Sequence, residues 1–88
     1  MKITHVFVRL IPGKERLKGI AGIILDEELA INDIKIVQTA RRMCIEFPKH
    51  QFAKNKRMEY IVPLTPRMRG VLEGRILEEY KRKKEEAG

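Results

Sequence analysis

The apolar residues of this chain change their spacing once, and this change restricts the fold more than any other feature. Up to about residue 62 they alternate with polar residues in short runs, which is the period of a β-strand. After Thr65 they recur at every fourth position from Met68 to Tyr80, which is the period of an α-helix. The sequence therefore predicts several strands followed by one helix, in a single domain over residues 1–88.

Turn residues divide the alternating region into five predicted strands. Proline and glycine at Pro12 and Gly13 favour a turn, and proline at Pro48 and Pro63 ends a strand. A short acidic run, Asp26 to Glu28, marks a further turn. The predicted strands are residues 2–10, Leu17–Asp26, a stretch beginning at Leu29, Arg42–Phe47 and Met58–Val62.

The third strand changes its apolar face partway along. Leu29 and Ile31 hold odd positions, whereas Ile34 and Ile36 hold even ones. One extra residue in a strand reverses which face the later side chains occupy. The pattern therefore predicts a β-bulge at Asn32-Asp33.

The second strand has apolar residues on both faces. Leu17, Ala21 and Leu25 share one face, while Ile20 and Ile24 lie on the other. Something should cover this second face, either the helix or another subunit. A chain this short buries a limited core, so self-association would add stability, and we expect a homodimer.

The helix has a well-defined start. Thr65 can accept hydrogen bonds from free backbone N–H groups, and proline at Pro66 suits the first helical position. Val71 and Leu77 widen its apolar stripe. Gly70 and Gly74 lie four residues apart on one side, where they either admit a close-approaching backbone or are merely tolerated at an exposed surface. We expect the tail, residues 81–88, to fray.

Positive charge is concentrated in two segments. Lys and Arg total 19 and Asp and Glu total 12, so the net charge is +7. Focused cationic segments attract polyanions, because neutralised phosphates release counterions. The alternative is a solvated surface that keeps a small protein soluble. One segment is the loop with Lys49, His50, Lys54, Lys56 and Arg57; the other is the helix with Arg67, Arg69, Arg75, Lys81, Arg82, Lys83 and Lys84.

Three helical cations have different expected environments. Arg69 falls on the apolar side, so its guanidinium either leaves that stripe, contacts a phosphate or, as we prefer, forms a structural ion pair. Arg67 and Lys81 point to the other side and are better placed for contacts in solvent. Arg67 also lies in the first turn, where the helix dipole favours an incoming phosphate.

Catalytic and metal-binding patterns are not found in the sequence. His5, His50 and Cys44 lie at no ligand spacing, and Cys44 has no nucleophile motif around it. Neither glycine-rich phosphate-binding motif occurs, and the aromatic signature of an RNA-recognition strand is absent. We therefore expect no enzyme, cofactor or metal. No apolar run spans a bilayer, no signal peptide is indicated, and a single cysteine favours a reducing cytoplasm.

A series of short segments follows from Met1 to Tyr80: Ile3 to Val6 with Val8-Arg9, Arg16 to Asp26, Asn32 to Val37, Phe47-Pro48, Pro63-Leu64, Arg69-Gly70 and Leu77 to Tyr80. In this order they resemble the stage V sporulation protein G (SpoVG) family of bacterial septation regulators. The family has a similar His-Asp-Ile-Arg-Val run where this chain has Asn32 to Val37.

The resemblance implies an α+β fold, with a mostly antiparallel sheet and a C-terminal helix, and a cytoplasmic homodimer that binds DNA and RNA. It implies binding near the late loop and the helix. Lys49 stands where the family usually has Ser, and His50 and Gln51 where it has Lys and Arg, so Lys54, Lys56 and Arg57 would supply charge instead.

The leading hypothesis is a non-catalytic nucleic-acid-binding regulator of septation and developmental gene expression. The alternative is an interaction module of the division machinery, whose basic surface meets an acidic partner or the membrane face. The residues predicted to bind nucleic acid are Lys49, Lys54, Lys56, Arg57, Arg67, Arg69, Lys81 and Arg82.

Overall fold

The computed structural model describes residues 2–48 and 65–88. Four strands form one antiparallel sheet in the order β1-β2-β3-β4, and one helix follows them. This confirms the α+β class, while the predicted strand Met58–Val62 lies outside the described residues. The elements are β1 Ile3–Leu10, β2 Leu17–Leu25, β3 Leu29–Gln38, β4 Met43–Glu46 and α1 Pro66–Ala87.

The acidic run forms a tight turn between β2 and β3. Asp26 and Glu27 have φ values of 53° and 59°, as a type I′ hairpin turn requires, and Glu28 N–H donates to Leu25 O at 2.9 Å. Residues other than glycine are strained there. Hydrogen bonds from the start of β1 offset the strain: Lys2 N–H donates to Asp26 Oδ1 at 2.9 Å, and Thr4 Oγ1 accepts Glu27 N–H at 3.2 Å.

The bulge in β3 occurs where the sequence predicts it. Ala21 pairs with Ile34 and Ile23 with Ile31, so two residues of β2 span three of β3. Asp33 takes a φ of 60° at this point. The extra residue returns Ile34 to the face that Ile31 occupies, and Ile34 is completely buried.

The core lies between α1 and one face of the sheet. Leu72 and Ile76 are the helical residues buried in it, and Leu77 and Tyr80 pack at its margin. Met68 and Val71 belong to the predicted stripe but are exposed, because the helix touches the sheet mainly through β1 and β4. The sheet contributes Val8, Ala21, Ile23, Leu25, Ile34, Ile36, Ile45 and Phe47 to the core.

The helix extends beyond its expected end. Fraying is expected over residues 81–88, whereas α1 continues to Ala87. Arg82 forms ion pairs with Glu79 and Glu86 on the preceding and following turns. Gly88 N–H donates to Lys84 O at 3.1 Å, which ends the helix with a backbone hydrogen bond. Local charge pairing therefore accounts for the additional turns.

Candidate nucleic-acid interface

The helix start is capped as the sequence predicts. Thr65 is extended, with φ −130° and ψ 150°, and its Oγ1 accepts Met68 N–H at 3.1 Å. The first turn contains no acidic residue, and Arg67 within it is exposed. The positive end of the helix dipole and the Arg67 charge therefore lie side by side.

Arg69 is held against the sheet instead of extending freely into solvent. Its Nη2 donates to Ile45 O at 2.9 Å and lies 4.0 Å from Glu73 Oε2. The guanidinium also sits 5.9 Å from the centre of the Phe47 ring, within cation–π range. The contacts agree with the preferred structural ion pair, although 44% of the side chain remains exposed.

Glu73 is the buried carboxylate that organises this contact. Its Oε1 accepts Arg42 Nη1 at 2.6 Å, and its Oε2 accepts Ile45 N–H at 3.3 Å. The hydrogen bond that Arg42 donates to Glu73 raises the pKa of the Arg42 guanidinium above its ordinary value. Sequence reasoning missed Glu73. The available signal was its position four residues after Arg69, which favours an ion pair on one helix face.

Arg42, Arg69 and Glu73 together form what we call the edge clamp. Ile45 N–H and Ile45 O point away from β3, and both are bound by side chains of α1. Unpaired strand-edge groups would otherwise invite another strand. The clamp thus fixes the orientation of α1 on the sheet and occupies the outer backbone groups of β4 at this residue.

The exposed side of the first half of α1 carries cations without local compensation. Arg67 and Arg75 are exposed, and within residues 2–48 and 65–88 neither has a carboxylate at ion-pair distance. They stand about 12 Å apart along the axis. Val71 lies between them on the same ridge of the helix, and beside this ridge a Cβ added at Gly70 or Gly74 would meet no atom of the described residues within 4 Å outside the helix's own backbone. We call this surface the α1 outer face.

The cations of the second half of α1 have nearer contacts. The guanidinium of Arg82 is shared by Glu79 and Glu86, and this hydrogen bonding lowers the pKa of Glu79 and raises that of Arg82. Lys84 Nζ lies 5.9 Å from the centre of the Tyr80 ring. Lys81 borders an apolar groove beside Tyr80.

The predicted binding residues are therefore divided among different environments. Arg67 is exposed at the helix start, Arg69 belongs to the edge clamp, and Lys81 and Arg82 lie more than two turns further along α1. The predicted loop residues Lys49, Lys54, Lys56 and Arg57, with His50, fall outside the described residues. Among the described residues, no helix could cross a membrane and no cluster of His, Cys, Asp or Glu could hold a metal ion.

Comparison with known proteins decides the family. A profile of the SpoVG family matches residues 1–82. The chain belongs to the SpoVG family. It is 34% identical over 80 residues to the "Putative septation protein SpoVG" of Phytoplasma australiense, which covers 91% of this chain and 83% of that protein.

Other SpoVG relatives align over nearly the whole chain. The protein of the same name from Caldanaerobacter subterraneus subsp. tengcongensis is 31% identical over 85 residues, covering 97% of this chain and 93% of its own length. The corresponding protein of Thermoanaerobacter sp. strain X514 is 27% identical over 86 residues, which cover 98% of this chain and 94% of that protein. The SpoVG match therefore includes the whole sheet, the edge clamp and the α1 outer face.

Proposed function

We propose that this SpoVG protein binds nucleic acid through the α1 outer face and the cations of the preceding loop. It acts as a cytoplasmic, non-catalytic regulator of septation and developmental gene expression. The observation that carries the proposal is the pair Arg67 and Arg75, exposed on one half-helix with no acidic residue in the first turn. A phosphate backbone can approach the helix closely beside this pair, because Gly70 and Gly74 present no side chain.

The charge balance of the clustered arginines supports this assignment. Arg42 and Arg69 share the single negative charge of Glu73, and Arg82 is paired with both Glu79 and Glu86. These groups stabilise the fold and have less to gain from phosphate. Arg67 and Arg75 would release counterions only upon binding a polyanion, which gives affinity a strong dependence on salt.

The test is a salt titration of binding to a labelled DNA duplex, followed by fluorescence anisotropy. Log affinity should fall linearly with log salt, and Arg67→Ala with Arg75→Ala should reduce that slope by about 1–2. The control, Lys2→Ala with Lys14→Ala, removes the same charge from exposed positions at the two ends of β1 and its turn. Lys18 is unsuitable as a control because its Nζ donates to Gly13 O at 3.2 Å.

Two results would count against the proposal. Equal losses from both double variants would mean that net charge alone attracts the ligand. Absence of binding by the native protein to duplex and single strand alike, at low salt, would remove nucleic acid as the ligand.

We also propose a homodimer. Ile20 and Ile24 are already half-buried within one molecule. Covering them therefore gives a weaker reason for a second copy than their apolar pattern suggests. The support is the length of the chain, because a domain of 88 residues buries a limited core and gains stability by association. Light scattering across micromolar concentrations should give twice the mass of one chain; the monomer mass throughout would contradict this.

One observation favours the alternative, an interaction module with an acidic partner. Met43, Leu77 and Tyr80 line an apolar groove of about 610 Å³, and Lys81 and Lys84 border it. Such a groove suits an acidic segment with one apolar anchor. Leu77→Asp should abolish binding of that partner while leaving duplex affinity unchanged, which separates the two functions.

A further inference from the structure

The sheet face opposite α1 displays an exposed pair of stacked rings on β1. His5, Phe7 and Arg9 alternate with the core residue Val8 and its neighbours, so they share the outer face. The His5 and Phe7 rings stack, with centroids 6.1 Å apart and planes 11° from parallel. Phe7 is 56% exposed, more than any other large hydrophobic residue described. An aromatic surface left in water is a candidate for ligand contact.

The outer face of the sheet has a shallow depression beside Phe7. Phe7 pairs across the strands with Gly22, which contributes no side chain. The β3 bulge places Asn32 on the other side of Gly22, so that Asn32 Oδ1 would lie 2.9 Å from a Cβ built there. A concavity of about 440 Å³ results, bordered by Phe7, Arg9, Asn32 and Asp33. It is an open depression of the surface and not an enclosed cleft, so it can contact one face of a ligand.

The polar groups around this concavity can recognise a flat heterocycle. The Asn32 amide and the Asp33 carboxylate form no hydrogen bond or ion pair with any other described residue. Both are exposed. An amide both donates and accepts, and a carboxylate accepts from ring or exocyclic N–H groups, so together they match the edges of nucleobases.

Cations next to the concavity distinguish between possible occupants. Ile20 pairs with Arg9 on one side and Lys35 on the other, so both charges lie on the outer face. Neither has an ion pair within the described part of the chain. A second copy docked face to face would bring these like charges together, which is unfavourable. An anionic backbone would be attracted.

We infer that this outer sheet face is a second binding surface, which stacks an unpaired base of single-stranded nucleic acid on Phe7. The inference rests on the proposed nucleic-acid function and adds a preference for unpaired strands. Bases inside a duplex already stack on one another, so only a single strand can offer a free base face. Arg9 and Lys35 would hold the adjacent phosphates, and the α1 outer face would remain available because α1 packs on the other side of the sheet.

The first test uses the absence of tryptophan from the chain. In Phe7→Trp, the single indole should be strongly quenched when a single strand of about 12 nucleotides binds, because bases stack on it. The control is Leu29→Trp. Leu29 is 52% exposed and pairs with the core residue Leu25, so it lies on the other face of the sheet. Equal quenching at both positions, or none at Phe7→Trp, would overturn the inference.

The second test compares affinities for the same single strand and for a blunt duplex. Phe7→Leu retains apolar area but removes the ring, and it should weaken single-strand binding by roughly 5- to 100-fold while duplex affinity stays within about twofold. Phe7→Trp should retain the native single-strand affinity. Native protein that binds duplex but is indifferent to Phe7→Leu would overturn this inference and leave the proposed function intact. Loss of a dimer in Phe7→Leu, seen by light scattering, would instead assign the face to self-association.

Discussion

At the scale of single residues, Glu73 connects more of the structure than any cation in the part of the chain that the structure describes. It is 8% exposed and links the turn residue Arg42, the backbone of β4 and the helix itself. Burying a carboxylate is unfavourable unless it is paired and hydrogen-bonded, and here both conditions are met. The polar contact is therefore a requirement for docking α1.

Removal of this carboxylate should be costly. Glu73→Ala leaves Ile45 N–H and two guanidinium groups without their partner, and we expect it to lower the free energy of unfolding by about 2–4 kcal/mol. The control Glu78→Ala removes an exposed carboxylate from the same helix and should cost about 0.5 kcal/mol or less. Urea denaturation followed by circular dichroism measures both. A loss from Glu73→Ala no larger than that of the control would show that the edge clamp adds no stability.

Two glycines should respond in opposite ways to the same change. At Gly19 an added Cβ would lie 3.1 Å from Arg9 O and 3.4 Å from Ile36 Cδ1, so Gly19→Ala should destabilise by about 1 kcal/mol. At Gly74 the space is open, and Gly74→Ala should stabilise α1 by about 0.5–1 kcal/mol. Thermal unfolding of each variant shows whether its stability rises or falls relative to the native protein. If Gly74→Ala also weakens duplex binding, the close approach proposed for the α1 outer face gains support.

At the scale of elements, the last turns of α1 should depend on pH. The hydrogen bond from Arg82 lowers the pKa of Glu79 below its ordinary value of 4.5. The stabilisation of α1 by the Glu79–Arg82 pair is therefore complete above pH 4.5, and it is lost as the pH falls through the lowered pKa of Glu79. Amide hydrogen exchange over residues 80–87 should accelerate when the pH falls from about 5 to about 3, after correction for intrinsic rates. Glu79→Gln should largely remove this dependence; an unchanged profile would contradict the assignment.

The sequence predicts local features of these elements better than their contacts. The bulge at Asn32-Asp33 and the cap at Thr65 were predictable because both depend on neighbours in the chain. The end of α1 was not predictable in this way, because ion pairs of Arg82 with Glu79 and Glu86 offset the repulsion expected within the basic run. The apolar periodicity could not show that Met68 faces solvent, because this depends on the angle between α1 and the sheet.

The candidate site was predictable only in part. Charge alone indicated a basic helix, but it could not separate neutralised arginines from uncompensated ones. Arg69 and Arg82 prove to be paired, whereas Arg67 has no carboxylate partner among residues 2–48 and 65–88. The His5–Phe7 pair was missed because stacking requires the strand to be built first, and the known aromatic signatures place their rings differently.

At the scale of the whole molecule, the loop cations should act together with the helix. Lys56→Ala with Arg57→Ala should lower duplex affinity for many sequences alike and reduce the salt slope by about 1–2, as the loss of phosphate contacts does. The same Lys2 and Lys14 double variant provides a control of equal charge. Anisotropy at three or more salt concentrations gives the slopes. A loss confined to one sequence would point to base recognition by the loop instead.

The edge clamp also limits how far copies of this sheet can join. Of the two outer strands in the described sheet, β4 has its outward backbone groups at Ile45 occupied, so β1 is the less obstructed of these two edges for a further strand. Two molecules that joined through β1 would form one continuous sheet of eight described strands, with an edge clamp on the β4 strand at each end. Strand addition at the β4 edge would have to displace Arg69 and Glu73 from Ile45, so the contact that docks α1 also hinders the growth of fibrils from that edge.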